Sequence, residues 1–223
     1  HIVQRLANAS AGVIATNHED FARLHHPCAA LIPIGSNISR QPDTDTAAFR
    51  ALAGAAPEDL LIVYFGLVNH SKGLDTLLDA LALLPDLPLR LALVGAVAGS
   101  SDPTNTAYLR EIDSQIDRLN LAPRVHRTGY LDDAAVSGYL NAADLVALPF
   151  RDGASYRRGT LMAAIQHGAA ILTTTPQVAV PSFTDGENLC LVPPDDPHTL
   201  AEAIRALYQS PAQRQALRTG AQA

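Results

Sequence analysis

The chain has 223 residues, and 16 basic against 22 acidic side chains give a net charge of −6. Apolar residues make up 48% and charged ones 17%, which excludes a disordered chain. The acidic balance, the 5% aromatic content and the absence of Trp argue against a nucleic-acid binder with a basic face or base-stacking platforms.

At roughly 150 residues per domain, this length fits one large domain, or one domain and a piece of another. Cys28 and Cys190 match no metal spacing and no disulfide framework, and are expected to be small buried apolar residues. No apolar run reaches the roughly 18 residues of a membrane span. The chain opens at His1 without a signal-peptide pattern, so a fragment of a longer cytoplasmic protein is expected.

In chain order, residues 11–16 and 29–34 predict two strands around a short helix at 18–24. Residues 40–57 carry Gln, Pro, Asp, Thr and Ala without a strand pattern, which predicts a linker with one helical turn at 47–52. Leu60–Phe65 reads as a fully buried strand. Leu74, Leu77, Leu78, Leu81 and Leu84 form a helical stripe after it. The same alternation continues with strands at 89–94, 125–128, 144–148, 169–174 and 189–192. Helices are predicted at 106–119, 132–141, 158–167 and 197–208, the last capped by Asp196. Apolar, non-alternating strands between helices imply a doubly wound parallel α/β sheet covered on both faces. Ligands bind such sheets at the carboxyl ends of the strands.

Three loops at those ends carry candidate chemistry. Gly66 to Gly73 joins a buried strand to a helix start, where free N–H groups and the helix dipole favour an anion. Lys72 can add its charge there. The stretch is not a P-loop, because Ser71 stands where glycine is required and Gly73 where Ser or Thr is. The second loop, 152–160, offers the hydroxyls of Ser155 and Thr160. It sets Arg157 and Arg158 against the dipole of the helix they precede, which points to an anionic ligand. The third is the strand end at Gly95, which is not a dinucleotide fingerprint. The histidines lack ligand spacing and there is no GxSxG elbow, so neither a metal site nor a serine nucleophile is expected.

The segments FG…KG, LRLALVG, VHRTGYL, AADLVALPF, HGAAILTT and DGENLCLVPPDDPHTLAEAIRALY follow one another as in the group 1 glycosyltransferases of family GT4. The chain resembles that family, with its GT-B architecture of two Rossmann-like lobes, from Leu60 to the C-terminus. The resemblance implies that residues 1–40 end the acceptor lobe, 41–58 link the lobes and 59–223 form the Rossmann-like nucleotide-sugar lobe. It further implies retaining transfer of a sugar from a nucleotide diphosphate sugar to an acceptor hydroxyl. No cofactor or metal is implied, and peripheral membrane contact through the acceptor lobe is compatible with it. The donor diphosphate is expected on Gly66, Lys72, Arg157, Arg158, Gly159 and Thr160. Ser155, Gly95, Tyr130 and Leu131 are expected near the donor sugar or the base.

Two departures qualify this. The family's arginine after the first glycine is Leu67 here, and its two glutamates are Ser155 and Ala163. A non-catalytic nucleotide-sugar or phosphate-binding module is therefore the alternative reading. Arg157 and Arg158 are expected to make up the missing charge, one facing the cleft and the other pairing with an acid such as Asp152.

Overall fold

The computed structural model describes residues 2–95 and 103–222. The main sheet holds β3 (Leu60–Phe65), β4 (Leu89–Val94), β5 (Val125–Gly129), β6 (Leu145–Leu148), β7 (Ile171–Thr174) and β8 (Cys190–Val192). All pairings are parallel, in the order β5-β4-β3-β6-β7-β8. That is the dinucleotide-fold order, whose direction of winding reverses between the first and fourth strands, here β3 and β6.

Side chains alternate across β3. Leu60, Ile62 and Tyr64 join one core with Leu74, Leu77 and Leu78 of α4 (Leu74–Ala82), Ile112 of α5 (Pro103–Arg118) and Ile204 of α8 (Pro197–Gln209). Leu61 and Val63 join the other, with Leu140 of α6 (Asp133–Ala142) and Leu161 of α7 (Gly159–Gln166). Because both faces are covered, the strand reads as one apolar run.

The N-terminal segment makes a separate two-stranded parallel sheet from β1 (Val13–Ala15) and β2 (Ala29–Leu31), across α2 (His18–Arg23). Three features depart from the sequence reading. Residues 46–52 are a two-turn helix, α3 (Thr46–Leu52), capped by Asp45 and docked on α6 through Phe49 and Tyr139 at 5.1 Å between ring centroids. Helices α1 (Ile2–Asn8) and α9 (Pro211–Ala221) have no counterpart in the apolar pattern, because in α9 only Leu217 is buried and in α1 only Ala7. Cys28 is exposed rather than buried, and Cys190 is only partly covered, its thiol pushed up to about 11 by burial. Among the described residues, no helix is long and apolar enough to cross a membrane.

Candidate functional site

The loops after β3 and β6 leave the sheet where its winding reverses, and they meet. Gly73 takes φ +63°, and a β-carbon there would run into the Pro149 carbonyl oxygen. Only glycine permits both this backbone and this approach. The Arg151 N–H donates to the Ser71 carbonyl at 3.0 Å, tying the two loops directly.

Their meeting opens a cleft of about 470 Å³. Gly66, Lys72, Arg157, Arg158, Gly159 and Thr160 line it, and so do Gly95, Tyr130 and Leu131. The residues read as diphosphate and base contacts thus share one cavity. Ser155 does not line it. It borders a second cavity of about 340 Å³, with Asn17, Glu19 and Gln177, and Arg157 and Arg158 line both.

Lys72 ends a short 3₁₀ turn (His70–Lys72), and its ammonium lies over Gly66. A β-carbon at Gly66 would stand 2.6 Å from Lys72 Nζ and 2.7 Å from Thr160 Cγ2. The missing side chain is what lets the ammonium reach the start of α7. Among the described residues, the Lys72 ammonium makes no hydrogen bond or ion pair. Burial, and then the Arg158 charge, pull its pKa down to about 8. A half-buried cation facing another cation without an acid is a site prepared for an anion.

The division of labour expected of the arginines is not found. Arg158 does both jobs: it pairs with Asp152, stacks its guanidinium 4.8 Å from the Phe150 ring centroid, and still lines the cleft beside Lys72. Arg157 pairs with Asp20 of α2, not with Asp152. Asp20 is 137 positions away in the chain, so local spacing gave no sign of it. Ala163, which stands where a ribose-binding glutamate was expected, is fully buried in the core. Among the described residues, the acid lining the cleft is instead Asp133, in the first turn of α6 beside Leu131. Sequence reasoning missed it, although it lies next to the 129–131 loop already under suspicion.

The helix starts add a further signal. Side chains of Asn17, Asp45, Asp132, Asp196 and Ser210 cap α2, α3, α6, α8 and α9. Helix α7, whose first residues Gly159 and Thr160 line the cleft, has no side-chain cap, and neither has α4. At α4 the Asp75 N–H finds the Tyr108 hydroxyl at 3.4 Å, whereas the first-turn N–H groups of α7 are left for another acceptor. The histidine nearest the α7 end, His167, is structural: its ring bonds the Ala163 carbonyl and Ser137, and burial lowers its pKa.

Comparisons with known proteins bear on the family and the fold. Residues 59–210 match the family model described as "Glycosyl transferases group 1". The chain is 28% identical over 240 residues to a D-inositol 3-phosphate glycosyltransferase of Jonesia denitrificans, covering 98% of this chain and 53% of that protein. The chain therefore spans about half the length of this curated relative. Among solved structures, Anabaena HepE in complex with UDP and glucose superposes with a TM-score of 0.81 at 23% identity, over 99% of this chain and 60% of that one. The C-terminal domain of LpcC, a group 1 family protein from Francisella tularensis, superposes at 0.67 and 16% identity, over 84% of this chain and 94% of that one. At these identities the two structures speak for the fold.

Proposed function

This chain belongs to the group 1 glycosyl transferases, and we propose that its carboxyl-edge cleft binds the diphosphate of a nucleotide sugar donor for transfer to an acceptor hydroxyl. The observation that carries the reading is the unpaired Lys72 ammonium at the uncapped start of α7, beside Arg158. Among the described residues, three positive side chains, Lys72, Arg157 and Arg158, line the cleft against one acid, Asp133. As the sugar leaves, charge builds on the diphosphate, and fixed cations and N–H groups stabilise it without a metal.

The remaining contacts follow from where the walls lie. Tyr130, 84% exposed on the rim, offers a stacking face for the base. Asp133 accepts from ribose hydroxyls in place of the absent glutamate. The sugar then projects past Arg157 and Arg158 into the cavity of Ser155, Glu19 and Gln177. Anabaena HepE carries UDP and glucose in its structure, which makes UDP the first nucleotide to test. Retention of the anomeric configuration belongs to this proposal and rests on the family resemblance. Ser155 and Ala163 in place of the glutamates favour the second reading, a binding module without transfer.

Calorimetry with UDP-, GDP- and ADP-sugars, alongside the parent nucleosides, tests the proposal. One nucleotide sugar should bind at least tenfold more tightly than its nucleoside. Equal affinity for the two would remove the diphosphate site. Binding without release of sugar to any acceptor would select the second reading.

A further inference from the structure

Behind Lys72, outside the cleft, one arginine gathers three loops. The Arg151 N–H holds the Ser71 carbonyl, and its side chain reaches three further groups. Its Nη2 donates to Asp75 Oδ2 of α4 at 2.6 Å. Its Nε stands 3.0 Å from Asp195 Oδ1, in the loop after β8. Its Nη1 faces the His70 ring, 3.2 Å from Nδ1. The other Asp75 oxygen accepts from the Tyr108 hydroxyl of α5 at 2.7 Å. Asp195 holds φ +55°, a backbone conformation that costs a non-glycine residue energy and is kept when its surroundings demand it.

We propose that Arg151 is a positioning residue, which sets the depth of Lys72 in the cleft and through it the strength of diphosphate binding. The proposal rests on the diphosphate reading of the cleft. The turn His70–Lys72 is a single 3₁₀ turn, and Asn69 gives it no side-chain cap bond. Among the described residues Lys72 has no partner of its own to fix its ammonium, and burial works against its charge. A loosened turn would let it swing into water. Arg151 opposes this from both ends: its main chain holds Ser71, and its side chain holds His70 before the lysine and Asp75 after it. Among the described residues, the charged or titratable groups facing Arg151 are Asp75, Asp195, His70 and, across Asp75, Tyr108. Arg158 is the charge facing Lys72.

Lys72 is the one lysine in the chain, so ¹³C-methylation of amines reports on it and the N-terminal amine alone. A Lys72→Met control assigns the signal. In the free protein, Arg151→Gln should raise the Lys72 titration midpoint from about 8 by about a unit or more, towards its ordinary 10.5. It should weaken UDP about tenfold and uridine less than twofold. Asp195→Asn, on an exposed loop that does not threaten folding, should move both readouts the same way by less. An unchanged midpoint in either folded variant would overturn the proposal, and so would equal weakening of UDP and uridine. If the wild-type chain binds none of UDP, GDP and ADP, the diphosphate reading fails, and the titration arm still decides whether Arg151 positions Lys72.

Discussion

Two helices that begin at the same sheet edge are finished in opposite ways. At α8, Asp196 Oδ1 accepts from the N–H groups of His198 and Thr199 at 3.1 and 3.0 Å, and Oδ2 accepts from the Thr199 hydroxyl at 2.6 Å. That end is closed by the chain's own carboxylate. At α7, the N-cap position holds Arg158, which caps nothing and adds positive charge where the dipole is already positive. Lys72 is brought to the same place from a different loop. One start is built for stability; the other forgoes a cap and gathers cations. The difference separates a structural helix end from a binding one without reference to any ligand.

Substitutions can break this contrast, beginning with the largest effect. Lys72→Met removes the ammonium and should weaken nucleoside diphosphate binding by about 10- to 100-fold, as expected for a charged hydrogen bond of roughly 1.5–3 kcal/mol. The nucleoside should be little affected. The same variant should melt at a higher temperature, because a poorly solvated charge facing Arg158 is gone. Arg158→Ser converts the α7 start into a capped one. Diphosphate binding should fall about tenfold in calorimetry. Melting should change little, since the new cap offsets the lost pair with Asp152.

Asp133→Asn tests the other end of the cleft. It should weaken nucleoside and nucleoside diphosphate by the same few-fold, because both carry the ribose. A loss confined to the diphosphate would place Asp133 elsewhere in the mechanism. The smallest effect belongs to the capped helix. Asp196→Ala should lower Tm by on the order of a few degrees and leave ligand affinity unchanged.

The sequence exposed the sheet because its strands are buried on both faces, and Leu60–Phe65 is apolar throughout. It exposed Lys72-Gly73 because a helix start after a buried strand is a local pattern. It did not expose α9, where one buried leucine carries too little periodicity to register. Nor did it reveal which acids the arginines choose. Asp20 pairs with Arg157 from a separate two-stranded unit, and such long-range pairing leaves no trace in spacing. Arg151 was passed over for the same reason, since its partners Asp75 and Asp195 lie on either side of it at long separations. The capping contrast was partly legible. The place of Asp196 before Pro197 marks it as a cap, and the place of Arg158 at a helix start marks it as a cation opposed to its helix.

The central claim is that Lys72 and the open start of α7 form a diphosphate site, and the ¹³C-methyl signal of Lys72 tests it directly. In the free protein the ammonium loses its proton near pH 8, whereas in the unfolded chain it keeps it to about 10.5. This group therefore adds stability as pH rises from 8 to 10.5 and costs stability below pH 8. A bound diphosphate must reverse the shift, so UDP should raise the midpoint by a unit or more, and UDP affinity should decline as pH rises above 8. Uridine should leave the midpoint where it is. A Lys72 midpoint unmoved by saturating UDP, or moved equally by uridine, would contradict the account.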